Sequence, residues 1–593
     1  MRPDARAPRS IVRRAAAAVV AVIGTAALFA LLSPIVPPSD VAAEPIDPAF
    51  SQLNFDHWPK DGDKVAKPDL VLVLSGQTYG YLQKCGCSNP QKGGLERRYN
   101  IVQALKARGW EVVGLDVGDV PHQLPYTPTS EQTLTKYEVA MQAMKLMGYQ
   151  ATAVGEEELL RPLLTALAKY TLQEGNELPR VHAANIANSK EFPGSRGSAL
   201  TASDVIASKG GLSIGVIGVL GYELTQKPID RSVQFNPRTD KVIKDEFDQW
   251  AKKKLVPDVN VLLYQGPMEY EFEINRNGKK EKVRADAETA AKAFPEFQIV
   301  LCKTNDGSDA TDSPKVVNDG KTMICQVGQK GQNVGVVGIY KNAAGTKLFY
   351  QRVAVTEEFD TMAAAEKEHP ILKLLQDYSD TVKSGDYLSE MAKRKKLLSV
   401  QTQYKDAAFA GDSQCAMCHE GESAHWQKTK HAHAYDALVN IAKRPTGRQF
   451  DGECIVCHTV GYEYKTGYLN EKTTPGLKNV QCEACHGPAN LHVAEEANNL
   501  AKKRTDKKYV AMLSPWKSAG KGAMPTVEKT DAMAKEKDPV KRQARMTPAE
   551  NDVYLRVYQT CAKCHDIDND PKFDLATYWK EIAHTGLAKK PKK

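Results

Sequence analysis

Between residues 69 and 355 the chain alternates two hydrophobic patterns. One is the short continuous apolar run: DLVLVLSG, EVVGLDVGD, YQATAVG, RVHAANI, LSIGVIGVLG, DVNVLLYQG, FQIVLC, TMICQVG, VGVVGIY and KLFYQRVAV. Strands covered on both faces read this way, because neither face needs polar residues. The other is a helical period, in GGLERRYNIVQALKARG, EQTLTKYEVAMQAMKLMG and TDKVIKDEFDQWAKKK, placed between the earlier strands. The pattern predicts an α/β domain over 69–356 that becomes mostly β towards its end. Residues 44–68 are rich in Pro and Asp and read as a linker, and 357–410 read as a charged helical connector. From 411 to 593 the strand patterns vanish and aliphatic residues are scarce. Such a segment cannot easily build a core from side chains and calls for another filler.

The chain of 593 residues is 42% hydrophobic and 26% charged, which fits several folded domains. A net charge of +8 is mild for this length, and no nucleic-acid motif accompanies it. Residues 1–43 form a targeting segment: Arg2, Arg6, Arg9, Arg13 and Arg14 precede an uncharged apolar stretch at 15–32, and Val41-Ala42-Ala43 suits a signal peptidase. That stretch is 18 residues long, close to the ~20 needed to span a bilayer. The expectation is therefore a periplasmic or otherwise exported protein, with the segment either cleaved or kept as a plasma-membrane anchor.

The 12 cysteines are unevenly placed: eight lie after residue 410, all in C-x-x-C-H. The four motifs are Cys415, Cys418 and His419; Cys454, Cys457 and His458; Cys482, Cys485 and His486; and Cys561, Cys564 and His565. Two thiols three residues apart reach the two vinyl groups of one haem, and the adjacent His meets the iron as proximal ligand. Zinc sites share the C-x-x-C pair but need no His after every second Cys. The missing filler of 411–593 is thus four c-type haems. Five further histidines, His425, His431, His433, His492 and His584, are available as distal ligands. His431 and His433 stand two apart on a helical pattern and point different ways, so His425 or His433 is the spare.

CAMCHEGESAHWQKTKHAHAY, CEACHGPANLH and CAKCHDIDNDPKFDLATYWKEIAH resemble corresponding segments of the tetrahaem cytochrome c-554 family. The resemblance covers about 411–593 and implies an α-helical, haem-packed fold, distal roles for His431, His492 and His584, and electron transfer with redox partner proteins. It also implies one haem without a distal side chain, which the spacing here leaves open. Residues 501–545 are basic, a solvated insertion or a docking patch for an acidic partner.

The flanks GGLERRYNIVQALKARGWEVVGLDVGD and MKLMGYQATAVGEEEL resemble the metallophosphoesterase domain of the 5′-nucleotidase family, which implies an αββα sandwich with a two-metal site at its strand ends. That family's ligands are mostly gone. Ser75-Gly76-Gln77 stands for D-x-H, Gly155-Glu156-Glu157-Glu158 for G-N-H-E, Gln265 for a His, and Cys302-Lys303-Thr304-Asn305 for G-H-x-H; Gly118-Asp119 is kept. Asp119 and Glu157 alone do not hold two divalent metals, so neither such a metal nor hydrolysis is expected. Thiols stand in the vacated places: Cys85 and Cys87 on the first strand-end loop, Cys302 at a later strand end. One reading pairs Cys302 with Cys325 in a disulfide; the other makes Cys85, Cys87 and Cys302 a thiol redox or soft-metal site facing one crevice. Three functions follow: an electron carrier; an oxidoreductase using an open haem iron or the Cys85 and Cys87 thiols; and a metal-dependent phosphoesterase with a cytochrome tail.

Overall fold

The computed structural model describes residues 50–584 apart from 85–89, 123–129, 195–196, 228, 277–278, 306–309, 344, 442–444 and 515–522. These residues belong to one unit, Asp47–Lys593. Among them no helix is long and apolar enough to cross a membrane; the apolar stretch at 15–32 lies outside them.

The α/β part is two mixed sheets face to face. Its elements are β1 (Leu70–Ser75), α1 (Leu95–Ala107), β2 (Val112–Asp116), α2 (Ser130–Met147), β3 (Tyr149–Ala153), β4 (Arg180–His182), β5 (Leu200–Thr201), β6 (Ser203–Ala207), β7 (Ser213–Leu220), α3 (Thr239–Lys252), β8 (Val259–Pro267), β9 (Ile299–Lys303), β10 (Lys315–Val317), β11 (Thr322–Cys325), β12 (Asn333–Asn342) and β13 (Gly345–Ala354). One sheet runs β13-β12-β1-β2-β3-β4-β5 and the other β6-β7-β8-β9-β11-β10. The inner strands β1 to β4, and β7, β8, β9 and β11, pair in parallel.

Alternate residues decide which core each strand feeds. Leu70, Leu72, Leu74, Val113 and Leu115 of the first sheet meet Ile214, Val216, Val261, Leu263 and Leu301 of the second in the layer between the sheets. The intervening residues Ile217, Val219, Leu262, Val300 and Cys302 face the other way, against Ile243 and Trp250 of α3. This is the αββα sandwich expected from the sequence.

Two expectations change. Residues 44–68 read as a linker, yet Leu53, Phe55 and Trp58 are buried. Trp58 lies 4.3 Å from the Phe55 ring and stacks on Trp110 at 5.9 Å. Gly338 makes room for it, since a Cβ there would sit 2.4 Å from the indole. The connector is likewise no free spacer: α4 (Pro370–Ser384) buries Ile371, Leu372 and Leu375, and His369 at its N-cap bonds Asn100 of α1 at 3.0 Å.

After residue 410 the described residues form short helices: α5 (Asp412–Ala416), α6 (Gly452–His458), α7 (Cys482–His486), α8 (Asn490–Lys502), α9 (Pro548–Cys561) and α10 (Leu575–Ile582). One apolar cluster there is small, with Val553, Val557 and Leu575 buried; a larger one joins Tyr435, Leu438, Ile455, Val460, Tyr462, Tyr468 and Leu477 to Leu388 and Met391.

Trp58→Ala is expected to cost the α/β part about 3 kcal/mol, the usual loss for a buried aromatic. Chemical unfolding followed by tryptophan fluorescence checks this, and a change under about 1 kcal/mol would return the segment to linker status.

Candidate functional site

The carboxyl ends of both sheets converge on one crevice. Gln77, after β1, donates from Nε2 to the Thr304 carbonyl (3.0 Å), while the Thr304 N–H donates to Gln77 Oε1 (2.7 Å). Gln265, at the end of β8, donates to the Val117 carbonyl at 3.0 Å. Asp119 is fully buried, and its Oδ2 lies 3.0 Å from the Lys303 ammonium at the end of β9. Burial alone would lower the Lys303 pKa; the Asp119 carboxylate outweighs it and raises it, so the lysine is held charged. Glu158 accepts backbone N–H bonds from Asp119, Val120 and Gly155, and burial together with Asp119 pushes its pKa up to about 8. Gly155 has no space for a side chain: a Cβ would be 2.2 Å from Asp119 Oδ1 and 2.4 Å from Gln265 Nε2.

These residues do not fit a two-metal centre. Amides fill two of the places where the resembled family has ligands, and a lysine supplies the positive charge against the one retained aspartate. Glu157 is engaged elsewhere, with Oε1 2.9 Å from His122 Nδ1 and Arg161 3.6 Å from its Oε2. Among the described residues, the only three His, Cys, Asp or Glu side chains close enough to share an ion are His492, Glu495 and Glu496, far along the chain.

Cys302 does not face the crevice. Leu301, not Cys302, pairs with Cys325 across β9 and β11, so the two thiols project from opposite faces of the sheet. Cys302 packs on the α3 side and Cys325 in the layer between the sheets, and both are free thiols. A disulfide needs Cβ atoms that point towards each other, so the expected bridge is excluded by parity. Burial pushes the Cys302 pKa well up and that of Cys325 to about 12, leaving inert thiols. Cys85 and Cys87 lie outside the described residues.

The C-x-x-C-H motifs sit on or beside short helices, where residues three apart share a face. Three of the four motif histidines have Nδ1 held: His458 by the Ala434 carbonyl, His486 by that of Leu513 (2.7 Å), and His565 by Asp570 Oδ2 (2.7 Å). Each therefore keeps Nε2 for a metal, the usual division in such ligands. His431 stands opposite His565, and His584 opposite His486, each pair with ring centroids 6.0 Å apart. That spacing suits two imidazoles sharing one metal through bonds of about 2 Å. His492 buries its Nδ1 without a partner. No ring stands opposite His492, His419 or His458 at that distance among the described residues. His425 and His433, offered as possible distal ligands, instead place Nε2 on the carbonyls of Glu581 (3.1 Å) and Gln427 (3.2 Å).

The motifs also adjoin one another in a definite order. Cys415 contacts Cys482, Cys485 lies near Cys561 and Cys564, and Cys564 contacts Cys457. The sequence of neighbours is first, third, fourth, second. The last two abut the α/β part. Gln132 and Tyr378 donate to Asp451, each at 3.0 Å, and Lys136 pairs with Glu453, just before Cys454. Tyr81 donates to Asp568 (3.3 Å) and Lys330 pairs with it, just after His565.

The C-terminal segment is similar to the cytochrome c-554 family. Residues 414–487, which hold three of the four motifs, match the family described as cytochrome c554 and c-prime. A curated relative, cytochrome c-554 of Nitrosomonas europaea, is 34% identical over 102 residues, 16% of this chain and 43% of the relative. The chain thus matches less than half of that relative's length. Its reduced-state crystal structure overlays on 30% of this chain and 98% of its own, at 22% identity and a TM-score of 0.17. A 5′-nucleotidase precursor from Thermus thermophilus overlays on 53% of this chain and 59% of its own, at 17% identity and a TM-score of 0.39.

Lys303, His122 and Arg161 went unassigned in the sequence. Lys303 had a signal, a cationic residue where the resembled motif has metal ligands, whereas His122 and Arg161 meet Glu157 only through folding. Lys303→Met is expected to cost the α/β part about 3 kcal/mol, because it leaves a buried carboxylate unpaired. The double variant Lys303→Met with Asp119→Asn should recover part of that loss in denaturant unfolding; additive losses would mean that the pair is not coupled.

Proposed function

We propose that this protein is an exported electron carrier with four covalently bound c-type haems, one at each C-x-x-C-H motif. When bound, haem supplies a one-electron iron couple. The chain supplies thioether anchors, imidazoles on one or both sides of each iron, and contacts that order the motifs first, third, fourth, second. The observation that carries this reading is the pair of facing imidazoles, His431 with His565 and His486 with His584, each at 6.0 Å. Iron held between two imidazoles has no site for substrate and suits electron transfer. Haem attachment takes place on the far side of the plasma membrane, which agrees with the leader at 1–43, cleaved or retained as an anchor. Residues 501–545 carry 13 Lys and Arg against five Asp and Glu. Lys529, Arg542 and Arg545 are spent on Glu550, Asp574 and Glu536. The described, exposed cations left for a docking patch towards an acidic redox partner are Lys502, Lys503, Arg504, Lys507, Lys508, Lys535, Lys537 and Lys541, whose charge raises the encounter rate.

Electron paramagnetic resonance of the purified protein tests this. At least two low-spin irons are expected, and His431→Ala should convert one of them to high spin while His433→Ala converts none. A mostly high-spin protein that binds CO would favour the reading as a reductase with open iron.

A second reading gives the thiols a part. Tyr81, four residues before Cys85, is bonded to Asp568 beside the fourth motif. In this reading Cys85 and Cys87 close to a disulfide, giving up two protons to solvent and two electrons, one to each of two ferric irons. Cys85→Ser or Cys87→Ser should then slow haem reduction, and unchanged stopped-flow kinetics in both would remove the reading. The crevice donors support no hydrolysis, since Asp119 is neutralised by Lys303.

A further inference from the structure

We infer that Asp570 is a positioning residue that makes the haem at Cys561, Cys564 and His565 the most strongly reducing of the four. This rests on haem attachment at that motif. The four proximal histidines differ in what holds their Nδ1. His458 and His486 donate to backbone carbonyls, and His419 has only a carboxylate 4.0 Å away, beyond hydrogen-bond distance. His565 alone donates to a carboxylate at full hydrogen-bond distance, Asp570 Oδ2 at 2.7 Å.

The carboxylate is placed by its own loop. Asp566 accepts from the N–H groups of Asp568 (3.0 Å) and Asn569 (2.7 Å), and its carbonyl takes the Asp570 N–H at 2.8 Å. The Asp570 carbonyl in turn accepts the Phe573 N–H at 2.9 Å. Phe573 lies flat on the His565 ring, with centroids 4.7 Å apart at 19°, and the Asp570 side chain is only 8% exposed. The carboxylate end of the bond is thus shielded, while the His565 side chain is 28% exposed, and the buried carboxylate charge acts at lower effective dielectric than in water. The nearby Asp568 is neutralised by Lys330, so Asp570 is the anion that the imidazole meets.

An anionic acceptor draws the Nδ1 proton and makes Nε2 a stronger donor. Ferric iron carries one more positive charge than ferrous and gains more from that donor, so the couple shifts to lower potential. Second-shell hydrogen bonding is one of the protein's established levers on haem potential. The fourth haem would then pass its electron readily to either neighbour in the order first, third, fourth, second.

The test is a spectropotentiometric titration of the full-length haem-loaded protein at one fixed pH. In Asp570→Asn, the lowest of the four one-electron waves should move to higher potential while the other three stay. Tyr578→Phe removes a hydroxyl that donates to Asp570 Oδ1 at 3.4 Å and should move the same wave slightly lower. Four unmoved waves in Asp570→Asn with four haems bound, or movement of a wave other than the lowest, would overturn the inference. Should Asp570→Asn lose a haem, Tyr578→Phe decides, and an unmoved lowest wave there overturns it as well. Fewer than four haems in the unmodified protein would instead defeat the attachment reading beneath it.

Discussion

The shortage of apolar side chains after residue 410 is the constraint on which the rest depends. The larger apolar cluster there draws on Leu388 and Met391 from before the segment, and one as small as Val553, Val557 and Leu575 offsets little of the entropy of ordering it. The segment can be ordered only by something it binds and something it leans on. The thiol pairs and facing imidazoles provide for the first. The second is the α/β part, which grips the second motif through Gln132, Lys136 and Tyr378 and the fourth through Tyr81 and Lys330.

That grip changes the meaning of the sandwich. At the strand ends Asp119 pairs with Lys303, Gln77 with Thr304, and Gln265 with the Val117 carbonyl, and these bonds close the crevice. A buried carboxylate cannot stay charged without a counter-cation. Lys303, from the neighbouring sheet, brings that charge to Asp119 and ties the two sheets together. The crevice so becomes a structural joint, and the loop that leaves it carries Tyr81 to Asp568.

How much of this was legible in the sequence follows from what each pattern can carry. The parallel strands were readable because both faces are buried and the runs are continuous. The role of residues 50–58 was not: Leu53, Phe55 and Trp58 stand among Asp and Pro, and only the space left by Gly338 and the Trp110 ring gives them a place. The haem motifs were legible because attachment chemistry dictates local spacing. The distal pairing was not, since His431 meets His565 from 134 positions away. The placing of Cys302 failed on parity. A one-residue offset between β9 and β11 turns two thiols that look adjacent to opposite faces, and register is a property of pairing that one strand does not encode.

The first motif lies at one end of the file of contacts and the second at the other, and the α/β part covers the second and fourth. The basic residues 502–508 follow the third motif in sequence, at and beyond the C-terminal end of α8. Under the carrier reading, the carboxylate-backed imidazole of His565, beside the loop that carries Tyr81, gives the fourth haem the greatest tendency to lose its electron to the second or third.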